Sequence, residues 1–311
     1  APFERIPYKE AMLKYGSDKP DLRNPLLIED LTTILSKSTF EPFKTLNIRG
    51  IKVDNIDKSN SWYKKIEEYI KSLGATGMSY IKVNEDMTFK SSIDKFLTDD
   101  LRKELIEKCH LNKGSALFIL ADNKHKIDKL AGLLRTKLGN ELDLINKNKF
   151  EFCIINDFPM YEYNEEENTW DFGHNPFSMP KGGIEALTKE NMENVVAHQF
   201  DFVCNGYEMA SGAVRNHNIE IMKKAFELAG YTEEDVENKF RSLYTAFQYG
   251  APPHAGMAPG IDRILMLLQD EENIREMVAF PLGANGSDQM MGCPNEVFEK
   301  QLRETHIKIR D

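Results

Sequence analysis

Cysteine is scarce in this 311-residue chain: Cys109, Cys153, Cys204 and Cys293 lie far apart and form no CxxC pair. That spacing excludes a zinc knuckle or a disulfide framework and points to packing thiols in a reducing cytosol. No apolar run approaches the roughly 20 residues of a membrane span, so no membrane anchor is expected. The net charge of -10 lacks the basic footprint of a general nucleic-acid binder. Even the locally basic "NSWYKKIEEYIKS" mixes its lysines with acids and reads as a solvated helix face. The P-loop pattern is missing, and no GxGxxG follows a strand, so a nucleotide would have to be held in another way. There is no internal repeat and no low-complexity segment. The opening "APFERIPYKE" has no initiator methionine and neither the basic start nor the apolar stretch of a signal peptide, as expected of a fragment of a longer protein.

What is present is a soluble globular composition, 41% hydrophobic and 29% charged, long enough for one large domain or two ordinary ones. A short helical pattern at Tyr8, Ala11, Met12 and Tyr15 stops at Gly16 and gives way to a polar loop with Pro20 and Pro25. From about 26 to 120 the text alternates. It predicts a helix near 27–37, a strand in "TLNIRGIKV", a helix at 60–73, the apolar "TGMSYIKV", a helix near 92–109 and a strand in "SALFILA", an α+β texture inserted in a larger unit. A helix near 124–138 follows, then a strand run at 150–163 and a long aromatic loop at 164–183. Helices near 217–229 and 232–247 lead to the glycine- and proline-rich "GAPPHAGMAPGIDRILMLL".

Asn205-Gly206 inside "QFDFVCNGYEMASGAVRNH" is the strongest short hairpin signal. A two-residue turn there sets Cys204 opposite Tyr207, Val203 opposite Glu208 and Asp201 opposite Ala210, with Asp201 and Glu208 as diagonal neighbours on one face. Two carboxylates so placed repel unless something positive sits between them, and a magnesium ion carrying phosphate oxygens would meet that need. A simply solvated face also fits the pattern. Arg215 lies on the opposite face under strict alternation, unless Gly212 marks a bulge that re-aims the strand. It suits either a planar carboxylate or a surface ion pair. His174, in "WDFGHNPFSMP", either folds over a pocket or stays at the surface. Gly260, Ile261, Asp262 and Arg263 open a helix whose Ile264, Leu265, Leu267 and Leu268 should be buried. Its first amides favour phosphate, and its guanidinium can lie flat on an adenine ring or pair with a phosphate.

"GMAPGIDR" before an apolar helix resembles motif 3 of the class II aminoacyl-tRNA synthetases, and "DFVCNGYEMASGAVR" resembles the strand pair that precedes it in the aspartate, asparagine and lysine subgroup. "YKEAMLKYGSDKPDLRNP", "NDFPMYEY", "GHNPFSMP" and "YGAPPHAG" narrow the resemblance to bacterial-type aspartyl-tRNA synthetases, and it runs over essentially the whole chain. It implies an α+β fold: part of the class II antiparallel-sheet catalytic domain with an inserted α+β GAD domain. Residues 1–25 would be catalytic-domain segment, 26–120 the GAD domain, and 121–311 the C-terminal part of the catalytic domain with motif 3. The OB-fold and motifs 1 and 2 of such enzymes have no counterpart in the text, so the chain is expected to be a C-terminal part, inactive alone.

Carried over by position, the resemblance implies that Asp201 and Glu208 bind Mg2+ and the phosphates of ATP. It likewise implies that Arg215 grips the side-chain carboxylate of L-aspartate and that His174 closes on aspartate. Gly260, Ile261, Asp262 and Arg263 would hold ATP, with Arg263 against adenine. Glu208, Arg215 and Arg263 would be the catalytic set. Where many relatives have two histidines, this chain has His174 then Asn175. Implied partners are L-aspartate, tRNA(Asp) or both tRNA(Asp) and tRNA(Asn), and a second subunit in a cytoplasmic homodimer. A non-catalytic synthetase remnant that binds tRNA or a protein is the competing expectation, and an asparagine-specific ligase a third.

Overall fold

The computed structural model describes residues 2–164 and 167–310, so Glu165 and Glu166 of the long aromatic loop lie outside the described residues. Two units are present, residues 1–259 and 260–311.

Among the described residues the first unit holds two five-stranded sheets and one two-stranded sheet. Its chain opens on β1 (Glu4–Pro7) and α1 (Tyr8–Tyr15). Gly16 ends α1 in the left-handed conformation, φ 66°, as the stop signal predicts. There follow β2 (Ile28–Asp30), α2 (Thr32–Leu35), β3 (Asn47–Val53), α3 (Asn60–Ser72), β4 (Met78–Val83), β5 (Phe89–Lys90), α4 (Asp99–Cys109), β6 (Ala116–Asp122) and α5 (Lys124–Glu141). The expected helix over 27–37 is instead a strand and one helical turn, because Ile28 to Asp30 pair with Ile51 to Arg49. Sheet pairing overrides local helical pattern there. Side chains Ser59, Thr98 and Asn123 cap α3, α4 and α5 by accepting amide hydrogen bonds.

These strands form a sheet in the order β2-β3-β6-β4-β5. Period-2 alternation along β6 sends Ala116, Phe118 and Leu120 into a core with α3 and α5. Leu117 and Ile119 go into the core on the opposite face, with Leu35 of α2 and Leu105 of α4. Both faces are therefore covered, which is why β6 reads as a continuous apolar run.

The chain then builds β7 (Phe152–Pro159), β8 (Tyr161–Asn164), β9 (Thr169–Phe172), β10 (Val196–Cys204), β11 (Tyr207–Val214), α6 (Ile219–Leu228), α7 (Glu233–Lys239), α8 (Arg241–Gln248) and β12 (Ala255–Pro259). The expected helix over 232–247 is two, broken at Phe240, whose φ of -125° is not helical. Thr232 and Asp235 do form a reciprocal capping box at its start. The second sheet runs β1-β7-β10-β11-β12, antiparallel except for the parallel β1/β7 pair at its edge. Ile6, Cys153, Ile155 and Val203 line the face on which Ala11 of α1 packs.

Segment 16–26, which connects α1 to the other sheet, is clamped to α5. The buried Arg135 guanidinium donates to the carbonyls of Leu26 (2.6 Å), Asn24 (2.7 Å) and Asp21 (3.0 Å). Burial lowers its pKa to about 10, and the three carbonyls replace the lost water. Gly16 and Gly132 meet backbone to backbone, so neither position has room for a side chain.

In the second unit, α9 (Ile261–Leu268) packs on a 3-10 turn, Ile274–Met277, and α10 (Glu299–Glu304) lies near the end of the chain. The apolar helix is not buried as expected. Met266 is its one buried residue, whereas Leu265 and Leu268 are 41% and 63% exposed, because this small unit has little core to offer them. Among the described residues no helix is long and apolar enough to cross a membrane. Cys109, Cys153 and Cys204 are buried packing residues, but Cys293 is exposed.

Candidate active site

Asn205 and Gly206 form the tight turn expected, with φ of 53° and 90°. Positive values at both positions are those of the primed turn that matches strand twist. The Asn205 side chain is buried and fixes the turn from below, accepting from the Glu151 amide (2.9 Å) and donating to the Lys149 carbonyl (3.0 Å).

Beyond the turn, the register differs from the expectation. Cys204 faces Tyr207 and Val203 faces Glu208, but Phe202 faces Ala210 and Asp201 faces Ser211. Met209 is the extra residue of a bulge. The re-aiming bulge expected at Gly212 is thus three residues earlier, and Gly212 instead gives room to the Phe200 ring, which a Cβ would approach to 2.6 Å. The consequence for the site is large. Direct partners share a face, so Asp201, Ser211, Val203 and Glu208 all point to the α1 side. Ala213 pairs with Gly256, and the Arg215 guanidinium lies over Gly256, 3.4 Å from where a Cβ would be. Arg215 therefore shares the face of the two carboxylates.

Asp201 and Glu208 converge on one cation that the sequence did not suggest. The Nζ of Lys19 lies 3.7 Å from Asp201 Oδ2 and 3.6 Å from Glu208 Oε2, and 2.5 Å from Asp18 Oδ2. Burial pushes the Asp201 carboxyl up from its ordinary range, and the Glu208 charge adds to this; Ser211 and Lys19 oppose it. Burial disfavours the Lys19 ammonium, yet Asp18, Asp201 and Glu208 outweigh it and the net displacement is upward. The Asp201 side chain is 4% exposed, and its Oδ1 is buried without a hydrogen-bond partner. An orphaned carboxylate oxygen beside a second carboxylate fits a hard cation. Among the described residues no group of three or more metal-ligating side chains is placed to hold an ion. The donor set therefore suits magnesium that arrives with phosphate oxygens and keeps its waters, rather than an all-protein cage.

His174 follows β9. Its ring edge packs against Phe158 (4.8 Å between centroids) and Tyr8 of α1 (5.8 Å), and its Nε2 is 3.9 Å from Glu162 Oε1. Phe158 reaches this face because Asp157, at φ 58°, breaks the alternation of β7. The Tyr8 hydroxyl is pushed up to about 12, first by burial and then by Glu162 and Asp18. The loop after His174 runs beside the strand end that carries Arg215. Met179 donates its amide to the Val214 carbonyl (2.8 Å), Asn216 donates to that of Phe177 (2.7 Å), and Ser178 bridges to Arg215. The first unit thus sets the acid pair beside the loop after α1, His174 against Tyr8 of α1, and Arg215 on the same sheet face as the acids, over Gly256. Gly260, which caps α9, and Ile261, Asp262 and Arg263 of its first turn belong to the second unit.

Lys19 lies within "YKEAMLKYGSDKPDLRNP", but nothing local marks it as the partner of Asp201 and Glu208. The signal that could have found it was the electrostatic one, since a buried acid pair requires a positive neighbour.

The chain matches the family model of the class II tRNA synthetases (D, K and N) over residues 1–284. It is 49% identical to the aspartate-tRNA(Asp/Asn) ligase of Rickettsia bellii, over 99% of this chain and 53% of that protein. It is 46% identical to the aspartate-tRNA ligase of Streptomyces coelicolor, over 100% of this chain and 53% of that one. The chain spans about half the length of the curated relatives it matches. A solved aspartyl-tRNA synthetase of Entamoeba histolytica overlaps 76% of this chain and 43% of its own, at 18% identity and a TM-score of 0.33, too loose a superposition to carry weight. The family match takes in both five-stranded sheets, the acid pair, Arg215 and α9, and on it the chain belongs to the class II tRNA synthetases of the D, K and N group.

Proposed function

We propose that the chain is part of an aspartate-tRNA ligase, which activates L-aspartate with ATP and passes it to tRNA(Asp), or to both tRNA(Asp) and tRNA(Asn). The observation that carries this reading is the shared face: the bulge at Met209 sets the Arg215 guanidinium on the same side of the sheet as Asp201 and Glu208. A fork of donors for a carboxylate thus lies along the strand from an acid pair suited to magnesium and a triphosphate. The curated relatives named above point the same way.

In this reading Arg215 holds the side-chain carboxylate of aspartate by two parallel charge-assisted hydrogen bonds, and His174 closes on the amino acid from the loop tied to the same strand end. Asparagine is rejected because its amide leaves the guanidinium under-paired. Asp201 and Glu208 would hold Mg2+ beside the ATP phosphates. When bound, the ion supplies charge neutralisation on the triphosphate. Gly260, Ile261 and Asp262 present helix-start amides to ATP, and Arg263 lies on its adenine. The α-carboxylate of aspartate attacks the α-phosphorus, pyrophosphate leaves, and the acyl group then passes to a ribose hydroxyl at the tRNA 3′ end. Positioning and charge stabilisation account for the rate, with no covalent enzyme intermediate. Residues 26–120 are assigned to an inserted GAD domain, with 1–25 and 121–311 assigned to the catalytic domain. The complete protein is assigned to the cytoplasm as a homodimer.

The test is Arg215→Leu in the full-length protein. Aspartate activation should be lost while ATP still binds, and activation at the unaltered rate would remove the assignment.

A further inference from the structure

We infer that Lys19 is the resident counter-cation of the Asp201–Glu208 pair, a positioning residue that magnesium must displace from between the two carboxylates. The inference rests on the reading of those carboxylates as the metal pair. Three observations lead to it. First, one Nζ lies within 3.7 Å of an oxygen of each acid, so it stands where a bridging cation would touch both. Second, Asp201 is nearly fully buried and keeps one oxygen without a partner, so Lys19 offsets only one of the pair's two charges and leaves that oxygen unsatisfied. Third, the ammonium is already bonded to Asp18 Oδ2 at 2.5 Å, and the Lys19 side chain is 33% exposed. It can therefore move off Asp201 and Glu208 while keeping Asp18 as its partner, so displacement does not leave the charge unpaired.

The backbone beneath is built to keep this lysine in place. Lys19 is three residues beyond Gly16, whose close contact with Gly132 seats the end of α1 on α5. Arg135 holds Asp21, Asn24 and Leu26 on the far side. The hairpin turn passes directly over the loop, since a Cβ on Gly206 would come within 3.6 Å of Asp21 and 3.8 Å of the Lys19 carbonyl. A fixed loop under a fixed turn gives one lysine a defined reach to both acids.

Two consequences follow for the metal-free protein and for metal binding. Without magnesium, the lysine offsets the repulsion of two acids on one buried face. With magnesium, its displacement opposes binding, so the ion binds more weakly than it would to the bare pair. The experiment uses the full-length protein with Lys19→Met and Lys19→Arg, measuring thermal unfolding in chelator and across a magnesium titration, with and without ATP. Lys19→Met should unfold at lower temperature in chelator and should reach its half-maximal magnesium shift at a concentration lower by about threefold or more, as expected for removal of a partly exposed ion pair. Lys19→Arg should retain both wild-type values. A merely structural lysine would lower stability without moving the magnesium midpoint, so an unchanged or raised midpoint in Lys19→Met overturns the inference. If Lys19→Met is too unstable for a thermal midpoint, magnesium binding to wild type and Lys19→Met is compared by calorimetry at low temperature, where the variant should bind more tightly and an equal or weaker affinity overturns the inference. Wild-type protein with no magnesium response, alone or with ATP, defeats the metal-pair reading itself and the inference with it.

Discussion

Gly132→Ala tests whether the seat of α1 on α5 holds the site loop in place. The added Cβ would stand 2.4 Å from the Gly16 carbonyl oxygen, 2.8 Å from its carbon and 2.9 Å from its Cα, against an ordinary contact of 3.4–4 Å. All three atoms are backbone, so no side chain can rotate away and the two elements must separate by about 1 Å. Overpacking of this kind costs about 1–3 kcal/mol. At roughly 2–4 °C per kcal/mol for a chain of this class, the unfolding temperature should fall by about 2–12 °C. Gly16 separates the two possible causes. Its φ of 66° alone would be tolerated by asparagine, but a Cβ there would also meet the Asp128 carbonyl and the Gly132 backbone at 2.4 Å. Gly16→Asn should therefore be as damaging as Gly16→Ala. Calorimetry or circular dichroism on the purified variants reads both effects. Unfolding of Gly132→Ala within about 1 °C of wild type, or recovery in Gly16→Asn, would refute the close-contact reasoning.

Asp201→Asn should raise the unfolding temperature of the metal-free protein at neutral pH while destroying activity. A carboxyl raised in the fold destabilises it wherever the group is ionised, above its unfolded value, and that penalty is relieved as pH falls through the raised folded value. The gain from Asp201→Asn should thus shrink on acidification, and a gain that grew instead would contradict the burial argument. Of the four thiols, Cys293 should react first with iodoacetamide in the native protein. Cys109 and Cys153, which burial pushes up to about 12, should react only on unfolding. Early modification of either, read by peptide mass, would show that the cores are open.

Much of the architecture is legible in the sequence where local chemistry and tertiary packing agree. Asn205-Gly206 announces its turn because only such a pair tolerates two positive φ values. Gly16 announces the end of α1, and Thr232 with Asp235 the start of α7, for similarly local reasons. What is hidden depends on distant partners. Ile28 to Asp30 look helical and become a strand because Arg49 to Ile51 are there to pair with. The bulge falls at Met209 rather than Gly212 because β11 must meet β10 and β12 in one register, with Gly212 taken by the Phe200 ring. Arg215 reaches the acid face through that bulge, although strict alternation forbids it. Lys19 is the clearest case: the acids demand a cation, but only folding shows which one answers.

The central claim is that Asp201 and Glu208 act together on a magnesium-bound triphosphate for aspartate activation. It is tested most directly by aspartate-dependent ATP–pyrophosphate exchange in the full-length protein carrying Asp201→Asn or Glu208→Gln. The account predicts that each substitution lowers exchange by about a hundredfold or more, the scale of losing one preorganised charge-stabilising group. Exchange at the wild-type rate in either variant would contradict it.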